Sequence, residues 1–419
     1  MKIIEIVFII IIYNLTLSGQ STPPQNQISI GEIIKIKSEI LNEEREIFVY
    51  QPQGFWGMDE QIKNLPVIYV LDGESQFLQT VSTVDYLSAA PYGNDVIPRS
   101  IVVGIPNTNR DRDLTPIKGI LGNDSTTLKI TGGGPNFLNF ICEEIIPYID
   151  SSFNTSAHRT IIGHSLGGLL AFEALLRKRD YFDNYICIDP AFGFANEKYM
   201  IEVMDSLKHA DLKSENLYFT AANNRPSFLS EEELFNDESD FMSICDIPNK
   251  KFITSLDSNQ YQININYKYY PDENHFSVPY RSTYDALKKI YHYYSFPEIL
   301  DYYHPKYKNK TDLIERLERH YKVISSKMGY EAIPMEGYIN SFAFGIAPSG
   351  REDLAIALFE YNIKLNPSNP IVYNNLAYFY KSKGKYSKAI ELFKQSHKLL
   401  EDFIILTMIN ELEVEISGK

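Results

Sequence analysis

The sequence predicts an α/β fold with a mostly parallel central sheet, followed by an all-α region of helical repeats. Three observations lead to this prediction. Short, almost continuous apolar runs such as LPVIYVL alternate with stretches of helical spacing, as in sheets whose strands are buried on both faces. The strand patterns stop near residue 296, and helical patterns continue to the C-terminus. With 419 residues and 44% hydrophobic content, the chain is long and apolar enough for two or three domains.

Strand and helix patterns alternate along residues 21–296, which we expect to form one α/β domain. The strand patterns are β-like stretches within residues 28–50, LPVIYVLDGES (65–75), SIVVGIPNTNRDRDLTP (100–116), HRTIIGHS (158–165), YICIDP (185–190), NLYFTAAN (216–223) and INYKYYPDENH (265–275). The helical patterns are TGGGPNFLNFICEEIIPYID (131–150), GGLLAFEALLRK (167–178) and STYDALKKIYHYYS (282–295).

The first 20 residues have the character of a secretory signal peptide. A single Lys2 precedes the apolar run Ile3–Tyr13, and small polar residues follow up to a cleavage site near Gly19 or Gln20. Eleven residues are too short to cross a bilayer, which takes about 20 in helical form. We therefore expect residues 1–20 to be a cleaved signal, the mature protein to be secreted or periplasmic, and no stable membrane span to remain. The alternatives are an N-terminal anchor or a first strand of the fold.

Charge and cysteine content exclude several classes of function. The 54 acidic residues against 40 Lys and Arg give a net charge of −14, which repels phosphate backbones and predicts no nucleic-acid partner. Three cysteines without CxxC spacing argue against a disulfide framework or a zinc site. We predict neither a metal nor a cofactor.

The C-terminal region repeats itself with a period of 34 residues. After a polar helical connector at 297–335, similar residues recur at that spacing over 336–410. The matching pairs are Phe342 and Leu376, Ala343 and Ala377, Gly350 and Gly384, Ala355 and Ala389, and Phe359 and Phe393. This pattern resembles the tetratricopeptide repeat, with two repeats at 336–369 and 370–403 and a closing helix at 401–416. The repeats are expected to bind a protein partner, mediate self-association or cap the preceding domain.

The motif GHSLGG at 163–168 indicates a serine nucleophile. It follows the buried strand pattern Thr160–Ile162 and opens a helix, and its glycines leave room for the sharp turn that exposes a serine hydroxyl. The helix N-terminus behind Ser165 supplies aligned amides, and the N–H of Leu166 is placed to hold a developing oxyanion. We expect the second oxyanion amide in the loop after LPVIYVLDG, at Gly73 or Glu74, and take Glu74 as the candidate.

A histidine base is expected downstream, because the chain order in α/β-hydrolases is nucleophile, acid, histidine. Among the eight histidines, His275 directly follows the last strand pattern, where a loop can place it over Ser165. His164 is expected to pack beside the nucleophile. In the loop after the second buried strand, Arg110 and Arg112 either hold a substrate carboxylate or pair with neighbouring aspartates.

The acid of the triad stays open. Asn223 and Asn224 follow the strand pattern NLYFTAAN and carry no charge, while carboxylates crowd residues 231–240. Asp240 is the first candidate, and Asp237 and Asp189 are the alternatives. A Ser–His dyad without a carboxylate is also possible.

Six segments together resemble the "Putative esterase" family, which includes esterase D, feruloyl and acetylxylan esterases, and hydrolases of ferric enterobactin-type siderophores. The segments are VIYVLDGES, VVGIPNTNRDRDLTP, GGGPNFLNFICEEIIPYID, RTIIGHSLGG, IDPAFGF and DENHFSVP. The similarity covers about residues 30–296. It implies an α/β-hydrolase fold with Ser165 as nucleophile and His275 as base.

We therefore expect a secreted or periplasmic serine hydrolase that cleaves carboxylic esters through an acyl-enzyme. The substrate would be a small-molecule or glycan-linked ester, although amides and thioesters are open to the same chemistry. A rival hypothesis from another class is a catalytically silent hydrolase fold that binds a partner through its helical repeats.

Overall fold

The computed structural model describes residues 28–52, 64–88, 95–121, 124–225, 228, 245–256, 262–296, 299–304, 306 and 312–418. Eight strands form a single sheet in these ranges, and every predicted strand pattern corresponds to one or two of them. The strands are β1 (Glu32–Ser38), β2 (Glu43–Tyr50), β3 (Leu65–Leu71), β4 (Ile101–Ile105), β5 (Thr155–His164), β6 (Asn184–Ile188), β7 (Asp211–Ala222) and β8 (Gln262–Tyr270).

The sheet is mixed, mostly parallel, and ordered β1-β2-β4-β3-β5-β6-β7-β8. The pairs β1–β2 and β2–β4 are antiparallel, and every other neighbouring pair is parallel. Because parallel strands end at the same edge, the loops that follow β3, β5, β6, β7 and β8 meet on one side of the molecule. The fold is that of an α/β-hydrolase, as the sequence predicts.

Helices cover both faces of the sheet and continue beyond it. Those of the α/β part are α1 (Gly73–Leu87), α2 (Arg110–Leu114), α3 (Gly134–Phe140), α4 (Ile146–Ser152), α5 (Leu166–Arg177), α6 (Lys198–Leu207), α7 (Asp246–Leu256) and α8 (Val278–Ile290). Those of the C-terminal part are α9 (Ile299–Tyr303), α10 (Leu313–Met328), α11 (Glu336–Ile346), α12 (Glu352–Leu365), α13 (Pro370–Ser382), α14 (Tyr386–Leu399) and α15 (Phe403–Ser417). A π-helical segment of five residues, Ile141–Ile145, joins α3 to α4.

Alternate residues of each central strand enter two separate hydrophobic cores. In β3, Val67, Tyr69 and Leu71 face the core formed with α3 to α7, whereas Ile68 and Val70 face the core formed with α1 and α8. All seven residues of β3 are buried, as a strand covered on both faces requires.

The C-terminal helices extend the second of these cores instead of forming one of their own. Tyr291 and Phe296 belong to the same buried cluster as Leu317 of α10 and Phe342 of α11. A polar contact also joins the two parts: Nε2 of His320 in α10 lies 2.9 Å from the carbonyl oxygen of Tyr294. The connector and repeats are therefore packed onto the hydrolase domain through one continuous apolar interior.

The two predicted repeats coincide with the helix pairs α11–α12 and α13–α14. The turn glycines Gly350 and Gly384 have φ of 76° and 68°, a left-handed conformation that glycine adopts without steric cost. The paired alanines of the 34-residue period are fully buried. The limits of the connector and of the repeats stay predictions.

The proposed signal peptide, residues 1–20, lies outside the described residues. None of the helices in the described ranges combines the length and apolarity that a bilayer crossing needs.

Candidate active site

Ser165 occupies a strained turn between β5 and α5. Its φ of 59° and ψ of −118° are unfavourable for a residue with a side chain. A Cβ at Gly163 would lie 2.0 Å from the carbonyl oxygen of Gly167, so only glycine fits there. The predicted sharp turn is therefore present, with the nucleophile candidate at its apex.

Three hydrogen bonds to neighbouring elements hold the backbone of Ser165 in place. Its N–H donates to the carbonyl of Ile188 at 3.0 Å, and its carbonyl accepts from the N–H of Ala191 at 3.1 Å and of Leu169 at 3.2 Å. These bonds join the turn to the end of β6 and to the first turn of α5. The conformation is thus fixed from both sides, and Ser165 as a whole is buried.

His275 lies in the loop between β8 and α8, and this loop is anchored to the end of β7. The N–H of Asn223 donates to the carbonyl of Glu273 at 2.9 Å, and Asn274 accepts from the N–H groups of Phe276 and Ser277. His275 is buried, and its Nδ1 lies 2.7 Å from Oδ2 of Asp189. An imidazole oriented by a carboxylate in this way is the arrangement of a general base in a serine hydrolase.

Asp189 directly follows β6 and is completely buried. Its backbone has a positive φ of 39°, and its N–H donates to the carbonyl of Thr220 at 2.9 Å. Oδ1 accepts from the N–H of Ala222 at 3.2 Å and from Nδ2 of Asn249 at 3.1 Å. Oδ2 accepts from Nδ2 of Asn224 at 2.8 Å, besides its bond to the imidazole.

Among the described residues, the carboxylate that contacts the base is Asp189, which the sequence offered as an alternative to Asp240. Asp240 and Asp237 lie outside the described residues. Nδ1 of His275 carries at most one proton, and Asp189 is the acceptor of the bond that this nitrogen makes. We therefore take Asp189 as the candidate acid, and the prediction for Asp240 stays untested.

The predicted oxyanion amides lie at the first residues of two helices. Leu166 begins α5, and Glu74 is the second residue of α1; the first N–H groups of a helix have no acceptor within it. The two helix starts are neighbours, because a Cβ at Gly167 would lie 3.3 Å from Oδ2 of Asp72. Gly73 contacts the backbone of β4 so closely that a Cβ there would lie 2.5 Å from the nitrogen of Ile105.

An ion pair holds Asp72, the residue directly before α1, and a second one forms within α2. Arg110 forms a bidentate pair with Asp72, with distances of 2.8 Å from Nε to Oδ1 and 3.0 Å from Nη2 to Oδ2. Arg112 pairs with Asp113, at 2.8 Å between Nε and Oδ1, as the sequence predicts. The partner of Arg110 is a residue the sequence did not single out, because Asp72 is 38 positions away along the chain.

His164 packs against the candidate base. The centroids of the two imidazole rings lie 4.4 Å apart. Nε2 of His164 has no hydrogen-bond partner among the described residues. Burial, together with the nearby charges of His275 and Arg110, holds the pKa of His164 well below its usual value. The ring is therefore neutral, and it forms an uncharged wall beside His275.

All three cysteines are free and buried. Cys245 lies beside the acid–base pair: its Sγ, a carboxylate oxygen of Asp189 and a ring nitrogen of His275 are all within 4.8 Å of one another. Three such ligands can hold a metal ion in principle. Here the carboxylate and the imidazole already bond to each other, so a metal would have to replace that bond. Burial raises the pKa of the Cys245 thiol well above its usual value, which favours the neutral thiol.

Sequence reasoning missed the roles of Asn224 and Asn249. The position of Asn224 directly after β7 was visible in the sequence, but an amide there indicated only that the acid was missing. Asn249 lies in α7 and carries no local signal at all. Both side chains become meaningful only when the fold brings them to Asp189.

The fold and this site together define the class: an α/β-hydrolase with a serine at the strand-to-helix turn and a buried histidine–carboxylate pair. Comparison with known proteins agrees with that class. Residues 38–211 match the family described as "Putative esterase", and residues 358–391 match a tetratricopeptide repeat family. Residues 38–211 are thus similar to this esterase family, and the helices that follow include a segment similar to a tetratricopeptide repeat.

Several known proteins are similar to the chain. The ferri-bacillibactin esterase BesA of Bacillus subtilis is 33% identical over 152 residues, covering 33% of this chain and 52% of that protein. The siderophore enterobactin esterase of Emericella nidulans is 30% identical over 171 residues, covering 37% and 56%. The chain spans about half the length of these curated relatives. A crystal structure of an IroE-like serine hydrolase from Shewanella oneidensis superimposes with a TM-score of 0.63 at 27% identity, covering 80% of this chain and 99% of that one.

Proposed function

We propose that this protein is a serine hydrolase that cleaves carboxylic esters through an acyl-enzyme on Ser165. The observation that carries the proposal is the buried pair of His275 and Asp189, together with a serine in a strained strand-to-helix turn whose N–H bonds to the residue directly before Asp189. Neither feature is needed for a stable sheet, and both are required for an activated serine. The family match and the relatives named as esterases support the same activity.

The reaction follows from the arrangement of these groups. His275 takes the hydroxyl proton of Ser165 as the oxygen attacks the acyl carbon, and Asp189 stabilises the imidazolium that forms. The amides of Leu166 and Glu74 hold the negative oxygen of the tetrahedral intermediate. The imidazolium then gives its proton to the departing alcohol. Water, deprotonated by the same imidazole, attacks the acyl-enzyme, and the proton returns to Ser165 as the carboxylic acid leaves.

The substrate that we propose is a siderophore ester, a small molecule within the wider class of small-molecule and glycan-linked esters. The names of the relatives support this choice. We also propose that the protein acts outside the cytoplasm, in the periplasm or after secretion, because of its signal-like first 20 residues. Fractionation of producing cells, with N-terminal sequencing of the mature protein, tests the location.

Replacement of the serine tests the activity. Ser165→Ala should abolish hydrolysis of a short-chain p-nitrophenyl ester and labelling by a fluorophosphonate probe, with an unchanged circular dichroism spectrum. Ser151→Ala is the matched control, because that serine is exposed at the end of α4, and it should keep both. Hydrolysis of ferric siderophore esters, followed by chromatography of the products, then tests the substrate class. Full activity or full labelling of Ser165→Ala would remove the mechanism.

We propose self-association or protein binding as the role of the helical repeats. Exposed apolar residues support a contact surface at the start of α15, namely Phe403 and Ile404 in its first turn and Leu400 just before it. Light scattering on the full chain, compared with a Phe403→Ser variant, tests self-association. The idea of a silent hydrolase fold loses its main support, since it depended on a missing acid and Asp189 contacts His275.

A further inference from the structure

We infer that Asn224 and Asn249 are positioning residues that hold the carboxylate of Asp189 in place and directed at His275; this inference rests on the proposed function. The two amides approach the carboxylate from different elements, the end of β7 and helix α7. Asn224 donates to Oδ2 at 2.8 Å, and Asn249 donates to Oδ1 at 3.1 Å. Both side chains are buried, so neither bond competes with bulk water.

Hydrogen-bond donors surround the carboxylate of Asp189. Its carboxylate accepts four hydrogen bonds, two at each oxygen, from the two amides, the N–H of Ala222 and the imidazole of His275. An ionised carboxylate has about four acceptor sites and no donor, so the set is complete. A protonated carboxyl would have to place its own hydrogen against one of these four donors.

The side-chain oxygens of the two asparagines are left without hydrogen bonds. Oδ1 of Asn224 and Oδ1 of Asn249 are buried and have no partner among the described residues. An unpaired buried carbonyl oxygen is unfavourable, because it has lost its hydrogen bonds to water. The bonds from the amide nitrogens to a charged oxygen are stronger than bonds between neutral groups and offset that loss.

Asn224 has the more direct influence on the base. Its amide and the imidazole of His275 both bond to the same oxygen, Oδ2 of Asp189. Rotation of the carboxylate would break both bonds together, so the amide fixes the oxygen that orients the imidazole. Asn223, one residue earlier, donates instead to the carbonyl of Pro271 at 3.2 Å, in an exposed position. It therefore offers a matched control.

The test compares Asn224→Asp, Asn249→Leu and the control Asn223→Asp by the pH dependence of kcat/KM for a p-nitrophenyl ester. A carboxylate at position 224 adds negative charge beside the acid–base pair and favours the imidazolium. The acidic limb should move up by about one pH unit or more, and by less than about 0.2 unit for Asn223→Asp. Asn249→Leu removes one donor at nearly constant volume, and kcat should fall about 10- to 100-fold with KM within about twofold.

The inference fails if the acidic limb of Asn224→Asp stays within about 0.2 unit of the parent, or if Asn223→Asp moves it equally. A kcat of folded Asn249→Leu within about twofold of the parent would also contradict it. Asn224→Asp is nearly isosteric, so the test stands even where Asn249→Leu does not fold. Failure of the proposed function would show separately, as activity that survives in Ser165→Ala.

Discussion

Replacement of Leu317 by alanine should destabilise the hydrolase domain as well as the helical region that contains this residue. Leu317 lies in α10, is fully buried, and belongs to the core that also contains Tyr291 and Phe296. Removal of a buried leucine side chain costs about 2–5 kcal/mol in lost burial and residual cavity. A chain of 419 residues has an unfolding entropy of about 0.9 kcal/mol per kelvin, so Tm should fall by about 2–6 °C.

Differential scanning calorimetry and residual esterase activity after heating should both report this change. Because the core is continuous, the parent and Leu317→Ala should each show one main transition, and activity should be lost within it. Leu300→Ala is the control: Leu300 is 72% exposed in α9, and its loss should leave Tm nearly unchanged. An early transition of the helices alone, with activity lost at the parent temperature, would refute a shared core.

Three further predictions concern the acid, the nucleophile turn and a buried carboxyl group. Asp189→Asn should lower kcat by about 10³- to 10⁴-fold in steady-state assays, because the amide supports the wrong tautomer of the imidazole; the exposed Asp205→Asn is its control. Gly163→Ala should abolish soluble or active protein, because its methyl group would lie 2.0 Å from a backbone oxygen, whereas Gly337→Ala meets nothing within 4 Å and should be tolerated. Asp95→Asn should raise Tm at pH 8 but not at pH 4, because burial raises the pKa of Asp95 to about 7.

The sign of the last prediction follows from the direction of the shift. The pKa of Asp95 is higher in the folded protein than its ordinary value of 3.8, so the folded state binds the proton more tightly. Folding is therefore increasingly disfavoured by this group as pH rises from about 4 to about 7, and asparagine removes the effect. A Tm difference that does not change with pH would contradict this reasoning. So would an Asp189→Asn variant with kcat within about tenfold of the parent, or a fully active Gly163→Ala variant.

The sequence predicts the parts of this protein whose signals are local. The apolar run of β3, the glycines around Ser165 and the loop position of His275 are each set by a few neighbouring residues, and the structure agrees with them. The 34-residue period likewise predicts the helix pairs, because each repeat is a local unit.

Contacts between distant segments could not be read in the same way. Asp189 and His275 are 86 positions apart, and Asp189 was only an alternative to Asp240 as the acid. The contact between Asp189 and His275 depends on the relative placement of β6 and the loop after β8, which no local pattern shows. The packing of the connector onto the hydrolase domain could not be predicted either. The apolar face of α10 indicates that this face is buried, but not which element covers it.

The three buried thiols allow local opening of the structure to be followed by chemical labelling. Burial raises the pKa of Cys142 to about 12 and also raises that of Cys187, and Cys245 lies beside the acid–base pair. Alkylating reagents attack thiolates, so each cysteine reacts only when its surroundings open. Mass spectrometry of the three alkylated peptides over time would then measure separately how often the central sheet and the catalytic centre are exposed to solvent.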